Sequence, residues 1–205
     1  MNNLNTQRGT ESLKPAVRAR LGDDLYLHSV GTAKTAGTLA ELYGHSRQLA
    51  ELAGLLHDIA RSLGRPAMIE IITRNGIRLE GLETEEESLL HAPAGAAIAR
   101  EDFGVTDRSV LEAIRYHTTG VVGMSGLAKC VFAADFVEEG REHKAAERVR
   151  NQLTSGLDRL VIAVLGEKIA YVQSEGKRVD PRALDLFALL QNDVGGDDDA
   201  SHHRP

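Results

Sequence analysis

The chain has 205 residues, of which 42% are hydrophobic and 26% charged, with a formal net charge of −6. That length supports one domain with a real core, and the composition is that of a soluble globular protein. The negative charge, the 4% aromatic content and the absence of tryptophan argue against a protein that coats phosphate backbones or stacks single-stranded bases.

The first residues, Met1 to Thr10, are polar and lack the apolar core of a signal peptide. Leu13 to Arg20 reads as a short helix with Ser12 as cap and Pro15 in its first turn. A longer helix is predicted from near Asp23 to Tyr43, closed by Gly44, with His28 in its first half. Ser46 caps the next helix, in which Leu49, Leu52, Ala53 and Leu56 form one buried stripe that ends in His57-Asp58. Gly64-Arg65-Pro66 is a break, followed by a helix from Pro66 to Arg74 that Asn75-Gly76 stops.

Ile77 to Glu83 reads as a loop or an extended piece. Thr84 with Glu87 forms a capping box that opens a segment reaching His91, Pro93 and a small-residue helix from Ala94 to Glu101. Asp107 caps a helix from Arg108 to His117, which Thr118-Thr119-Gly120 ends. Ser125 caps a helix running through Asp135 to Glu139. A long helix from Lys144 to Gln173 and a short one after Asp180-Pro181 complete the domain. The fold class is therefore all-α, a single bundle of eight or nine helices. Residues 1–11 are expected to be a disordered tail, 12–191 the folded domain and 192–205 an acidic disordered tail.

The chemistry lies in an imidazole and a carboxylate side by side next to a core-facing stripe. A buried carboxylate is costly unless it is paired or binds metal. His28, His91, His117 and Asp135 are further candidates that the pattern places at or near the core. Taken singly, each histidine reads as structural or solvated. The order of residue types, with His and Asp adjacent, is what points to a metal site. Neutral imidazoles and carboxylates suit iron, manganese or zinc, and the lack of a thiolate in the set disfavours a structural zinc site. Asp58 can bridge two ions, since a carboxylate has two oxygens with several lone pairs. Two ions about 3.5–4 Å apart can ionise a shared water and clamp a phosphoryl group, the chemistry of phosphate ester and anhydride hydrolysis.

The series His28, His57-Asp58, His117 and Asp135 resembles the HD superfamily of metal-dependent phosphohydrolases. Ala53-Gly54-Leu55-Leu56-His57-Asp58-Ile59-Ala60-Arg61, Leu90-His91-Ala92, Ala113-Ile114-Arg115-Tyr116-His117-Thr118-Thr119-Gly120 and Ala134-Asp135-Phe136-Val137-Glu138-Glu139-Gly140-Arg141 together resemble its YqeK branch. The likeness spans about residues 20 to 190, and the His-Thr-Thr-Gly run is its most specific part. It implies symmetrical hydrolysis of diadenosine tetraphosphate to two ADP by a hydroxide held between two metal ions, with iron as the metal and manganese as the alternative.

By that resemblance His28, His57, Asp58 and Asp135 hold one ion, and Asp58, His91 and His117 the second. Asp58 and Arg61 are the catalytic residues, with Arg61, in place of the family's usual Lys, on substrate phosphates. Thr118, Thr119 and Gly120 line the nucleotide pocket, and Glu138 and Arg141 lie near the substrate. The partner is a small dinucleoside polyphosphate or nucleotide, with no nucleic-acid polymer and no membrane; a homodimer is one possible assembly, and the sequence does not fix the oligomeric state. Leu25 stands where the family usually has Arg, which removes one polar contact. Glu139 stands where it usually has Pro, which would add negative charge beside an anionic substrate.

Other readings remain open at this point. They are an HD-type hydrolase of a dNTP or a guanosine alarmone, a metal-containing nucleotide-binding module without turnover, and a di-iron oxygenase. Arg61 and Arg141 are either phosphate contacts or surface salt bridges. Thr118 and Thr119 either line the pocket or simply close a helix. Lys129 reads as solvated, and His45 and His143 as exposed beside helix ends. His202-His203 lies in the tail, and Glu85-Glu86-Glu87 and Asp197-Asp198-Asp199 read as solvated charge. Cys130, the single cysteine, allows no internal disulfide, reads as a small buried hydrophobe, and suits a reducing cytoplasm.

Overall fold

A computed structural model describes the backbone over residues 10–201 and the side chains over residues 10–194. Most of the expected N-terminal tail, and His202-His203, lie outside the described residues. The elements are α1 (Thr10–Leu21), α2 (Asp23–Leu42), α3 (Arg47–Leu56) and α4 (Arg65–Arg74). After two 3-10 turns (Gly81–Thr84 and Glu87–Leu89) come α5 (His91–Glu101), α6 (Arg108–Tyr116), α7 (Gly126–Val137), α8 (Lys144–Arg150), α9 (Leu157–Ser174) and α10 (Pro181–Ser201). The described residues contain no strand.

The all-α class holds, with one helix more than expected. The segment read as one helix from Lys144 to Gln173 is two helices, because Gly156 adopts φ 109° and ψ 143°, a conformation that ends a right-handed helix. The Ser155-Gly156 pair was the signal for this break. Ser12 and Pro15 lie inside α1 rather than at its start. The helix after Asp180-Pro181 is longer than read, with bounds Pro181–Ser201.

The expected Thr84/Glu87 capping box is not formed. Instead Glu83 Oε2 accepts from Glu80 N at 2.8 Å. Glu87 Oε1 accepts from Arg65 N at 3.2 Å and so serves the start of α4. Ser46, Asp107 and Ser125 cap as read, each accepting backbone N–H groups of the following helix.

α7 is the centre of the bundle. Leu127, Ala128, Cys130, Val131, Phe132, Ala133, Ala134, Asp135 and Val137 are all buried, so the helix is enclosed on every side. It packs against α2, α3, α6, α8 and α9. The most extensive helix pair is α2 with α3, and Gly54 sets its spacing. A Cβ at Gly54 would lie 2.7 Å from Ala33 Cα and 2.9 Å from Ala33 N, so the two backbones are nearly in contact. This crossing brings His28 on α2 toward the end of α3. At the far side, buried Glu83 is gripped by Arg115 of α6 and Arg182 of α10. Asp180 accepts from Leu82 N at 2.9 Å, which ties the 3-10 segment to α10.

Gly54→Ala is expected to force α2 and α3 apart and cost about 1–3 kcal/mol, read as a lower denaturant midpoint with unchanged slope. Gly37→Ala on the same helix pair meets first the Glu51 and Arg47 side chains rather than backbone. It should therefore cost less than Gly54→Ala, with part of the cost offset by helix propensity.

Candidate metal centre

Three of the four imidazoles are fixed by one local device at a helix end. His57 is the C-cap of α3, His117 the C-cap of α6, and His91 the first residue of α5. Each ring turns back so that Nδ1 donates to the carbonyl three residues earlier. The distances are 2.7 Å to Gly54 O, 2.8 Å to Ile114 O and 2.7 Å to Ser88 O. Helix-end carbonyls otherwise lack partners, and here the histidines satisfy them. The proton is thereby held on Nδ1, and Nε2 presents its lone pair inward. On α2, His28 Nδ1 faces Glu138 Oε1 at 3.2 Å to the same effect.

These Nε2 atoms converge with two carboxylates in two adjoining lobes. In the first, His28 Nε2 lies 3.2 Å from His57 Nε2 and 3.0 Å from Asp135 Oδ1. His57 Nε2 lies 3.5 Å from Asp58 Oδ2 and 3.6 Å from Asp135 Oδ1. In the second, His91 Nε2 lies 3.0 Å from His117 Nε2, and the two lie 3.2 and 3.4 Å from Asp58 Oδ1. Asp58, only 3% exposed, therefore turns one oxygen to each lobe.

Facing Nε2 lone pairs at hydrogen-bond distance repel unless a proton or a cation lies between them. The donor set fits a divalent ion in each lobe, from His28, His57 and Asp58 and from Asp58, His91 and His117. Asp135 adjoins the first.

Positive charge already leans into both lobes. Arg141 Nη2 donates to Asp135 Oδ1 at 2.9 Å and to His28 Nε2 at 3.2 Å. Arg61 Nη1 donates to His91 Nε2 at 3.2 Å and lies 3.5 Å from Asp58 Oδ1. Both guanidinium side chains remain open to solvent, at 39% and 48% exposure. They are mouth residues, and in this arrangement they stand against the atoms a metal would use.

The electrostatics match. Burial opposes ionisation of Asp58, but His57, His117 and His91 outweigh it and hold its carboxyl well below the usual carboxylate range. Asp135 is likewise held low, against burial, by His28, His57 and Lys168. Burial pushes His117 down to about 4. His57 is raised above 6.5, because Asp58 and Asp135 together overcome the burial that opposes its charge.

Glu138 is buried and committed elsewhere. Besides His28 it accepts from Gly140 N at 2.7 Å, which makes it an orienting group rather than one facing an anionic ligand. Gly31 allows this, since a Cβ there would strike the Glu138 carboxylate. Arg150 secures the loop below by donating to Val137 O at 2.8 Å, Glu138 O at 2.7 Å and Arg141 O.

Thr118 and Thr119 line a cleft of about 130 Å³ beside the second lobe. Gly120, with φ 66°, packs against Leu186 and Phe132 and shapes the turn. Glu139 does not bring charge into the site, because it pairs with Lys34 at the surface and is 84% exposed. Leu25 is half-buried against the core.

Lys129 pairs with Asp158. His143 caps α8 by accepting from Ala146 N at 3.0 Å. Cys130 is fully buried.

One residue near the site was missed. Lys168 Nζ lies 3.7 Å from Asp135 Oδ2. Its signal was a lysine continuing the buried stripe of Val161, Val164 and Leu165 on α9.

In the metal-free protein, His57's contribution to stability is present below about 6.5 and lost as pH rises through its raised value. A metal must displace that proton. Affinity for ferrous or manganous ion should therefore rise with pH, by up to roughly tenfold per unit, until His57 has lost its proton at its raised value, and level off beyond it. Calorimetry in buffers of different ionisation heat should show a proton released on binding, a release that disappears as pH rises through the raised His57 value. His117, already neutral there, adds nothing.

The HD domain family matches residues 25–150. The chain is 37% identical over 174 residues to a protein of Halalkalibacterium halodurans named symmetrical bis(5′-nucleosyl)-tetraphosphatase, covering 85% of this chain and 92% of that one. A Bacillus subtilis protein of the same name is 33% identical over 171 residues, covering 83% and 91%. A solved structure from Clostridium acetobutylicum, described as a "predicted HD superfamily hydrolase involved in NAD metabolism", superposes with a TM-score of 0.84. It is 32% identical, with 89% of this chain and 96% of that one covered.

Proposed function

The chain belongs to the HD domain family, and from that footing we propose that it hydrolyses diadenosine tetraphosphate symmetrically to two ADP. The observation that carries this reading is Asp58, whose two oxygens face two separate imidazole pairs. One carboxylate shared by two nitrogen-rich lobes is the arrangement of a paired-metal phosphohydrolase. His28, His57, Asp58 and Asp135 would hold one ion, and Asp58, His91 and His117 the other, with iron as the resident metal. Bound there, the pair supplies an acidified water and positive charge for the phosphoryl oxygens.

The chain's own residues do the rest. Glu138 keeps the His28 proton on Nδ1, and backbone carbonyls do the same for His57, His91 and His117, so all four Nε2 atoms stay available. Arg61 and Arg141 turn from the lobes to the polyphosphate, where planar guanidinium groups bind phosphate oxygens well. The cleft beside Thr118 and Thr119 has apolar walls from Leu82, Leu89 and Ile169, suited to the nucleoside. Hydrolysis forms one P–O bond to water and breaks the central P–O–P bridge, and each half leaves as ADP. No covalent intermediate on the chain is needed. No helix among the described residues is long and apolar enough to cross a membrane. The single cysteine, Cys130, allows no internal disulfide, which accords with action in the cytoplasm.

Metal-loaded protein incubated with diadenosine tetraphosphate should give ADP as the sole nucleotide, read by ion-exchange chromatography. ATP with AMP would refute symmetrical cleavage, and faster turnover of a dNTP or a guanosine alarmone would reassign the substrate. Asp58→Ala should lose metal from both lobes and lower turnover by roughly a thousand-fold or more, while the helical circular dichroism persists.

A further inference from the structure

Lys168 lies where the metal centre meets the cleft. Its Nζ is 3.7 Å from Asp135 Oδ2 and 4.3 Å from the centre of the Phe132 ring. It is 3.3 Å from both His117 O and Thr118 O. The same side chain lines the cleft together with Thr118, Thr119 and Ile169.

These contacts hold the ammonium where the cleft meets the metal centre. Its hydrogen bonds to the two carbonyls are long, at 3.3 Å, and Asp135 also accepts from Arg141 at 2.9 Å. An ammonium held by long contacts, lining the cleft beside two arginines at the mouth of one site, can exchange them for the shorter, charge-assisted bonds that a phosphate offers.

We propose that Lys168 is a substrate-contacting residue that binds the phosphate joined to the nucleoside seated in the cleft. This places the next phosphate at the metal lobes and so sets the cut after two phosphates. The proposal rests on the phosphohydrolase reading above and assigns the group that measures out a nucleoside diphosphate. With the nucleoside among Leu82, Leu89 and Ile169, Lys168 lies on the side of that cleft that adjoins Asp135 of the metal centre.

The test is calorimetric binding of adenosine, AMP and ADP to metal-loaded wild type, K168M and K168R. K168M should lose about tenfold or more in affinity for AMP and ADP and none for adenosine, while K168R retains most of it. In wild type, ADP and not adenosine should protect Lys168 from acetylation by acetic anhydride, read by mass spectrometry, a measurement that needs no variant. Unchanged ADP affinity in K168M, a parallel fall for adenosine, loss of bound metal, or acetylation unaffected by ADP would overturn the proposal. Wild type that binds ADP through Lys168 yet leaves diadenosine tetraphosphate intact would sink the hydrolase reading alone.

Discussion

The structure depends on keeping one carboxylate charged where water barely reaches it. Asp58 is almost wholly buried, and burying an isolated anion is prohibitive. It stays ionised because imidazoles from three helix ends crowd its two oxygens. The helices are arranged to bring those ends together. α3 delivers His57 and Asp58 directly, the α2–α3 crossing at Gly54 brings His28, and the meeting of α5 with α6 pairs His91 with His117. Four separate elements thus converge on one side chain, so a shift in any crossing reaches the site.

Gly54 shows how closely packing and chemistry are joined. Its missing Cβ lets α3 approach Ala33 of α2, and its carbonyl then accepts the His57 Nδ1 proton. The residue that fixes the distance between two helices also fixes the tautomer of a candidate ligand. Gly31 repeats the arrangement on the other flank, where its open face admits the Glu138 carboxylate to His28.

Much of this was legible in the sequence because it rests on local rules. The apolar stripe ahead of His57-Asp58, and the caps at Ser46, Asp107 and Ser125, are written within a few residues of where they act. What was hidden depends on partners distant in sequence. Glu138 reads as a residue near the substrate until α2 is placed over it. Glu139 reads as a charge in the site until Lys34 is seen to draw it to the surface. Glu87 follows Thr84 at capping-box spacing, yet tertiary structure offers it the N-terminus of α4. Lys168 sits on a buried stripe where its charge looks misplaced, and only the fold shows that Asp135, 33 positions earlier in the chain, accounts for it. The split at Gly156 is a different failure, since the breaker was local and was outweighed by the apolar periodicity on either side.

The charges around the centre bear on its ligand. Asp58, Asp135 and Glu138 are the acidic groups of the cluster, and Arg61, Arg141 and Lys168 are the cations that touch or adjoin it. The two sets balance formally, so the charge of any bound ions is left for the substrate to neutralise. A neutral metabolite would leave that excess unmet, whereas a polyphosphate carries about one negative charge per phosphate and meets it along its length. Arg61 and Arg141 join the two halves of that balance, since their Nη atoms lie against His28, Asp135, His91 and Asp58 while both side chains stay open to solvent at the mouth.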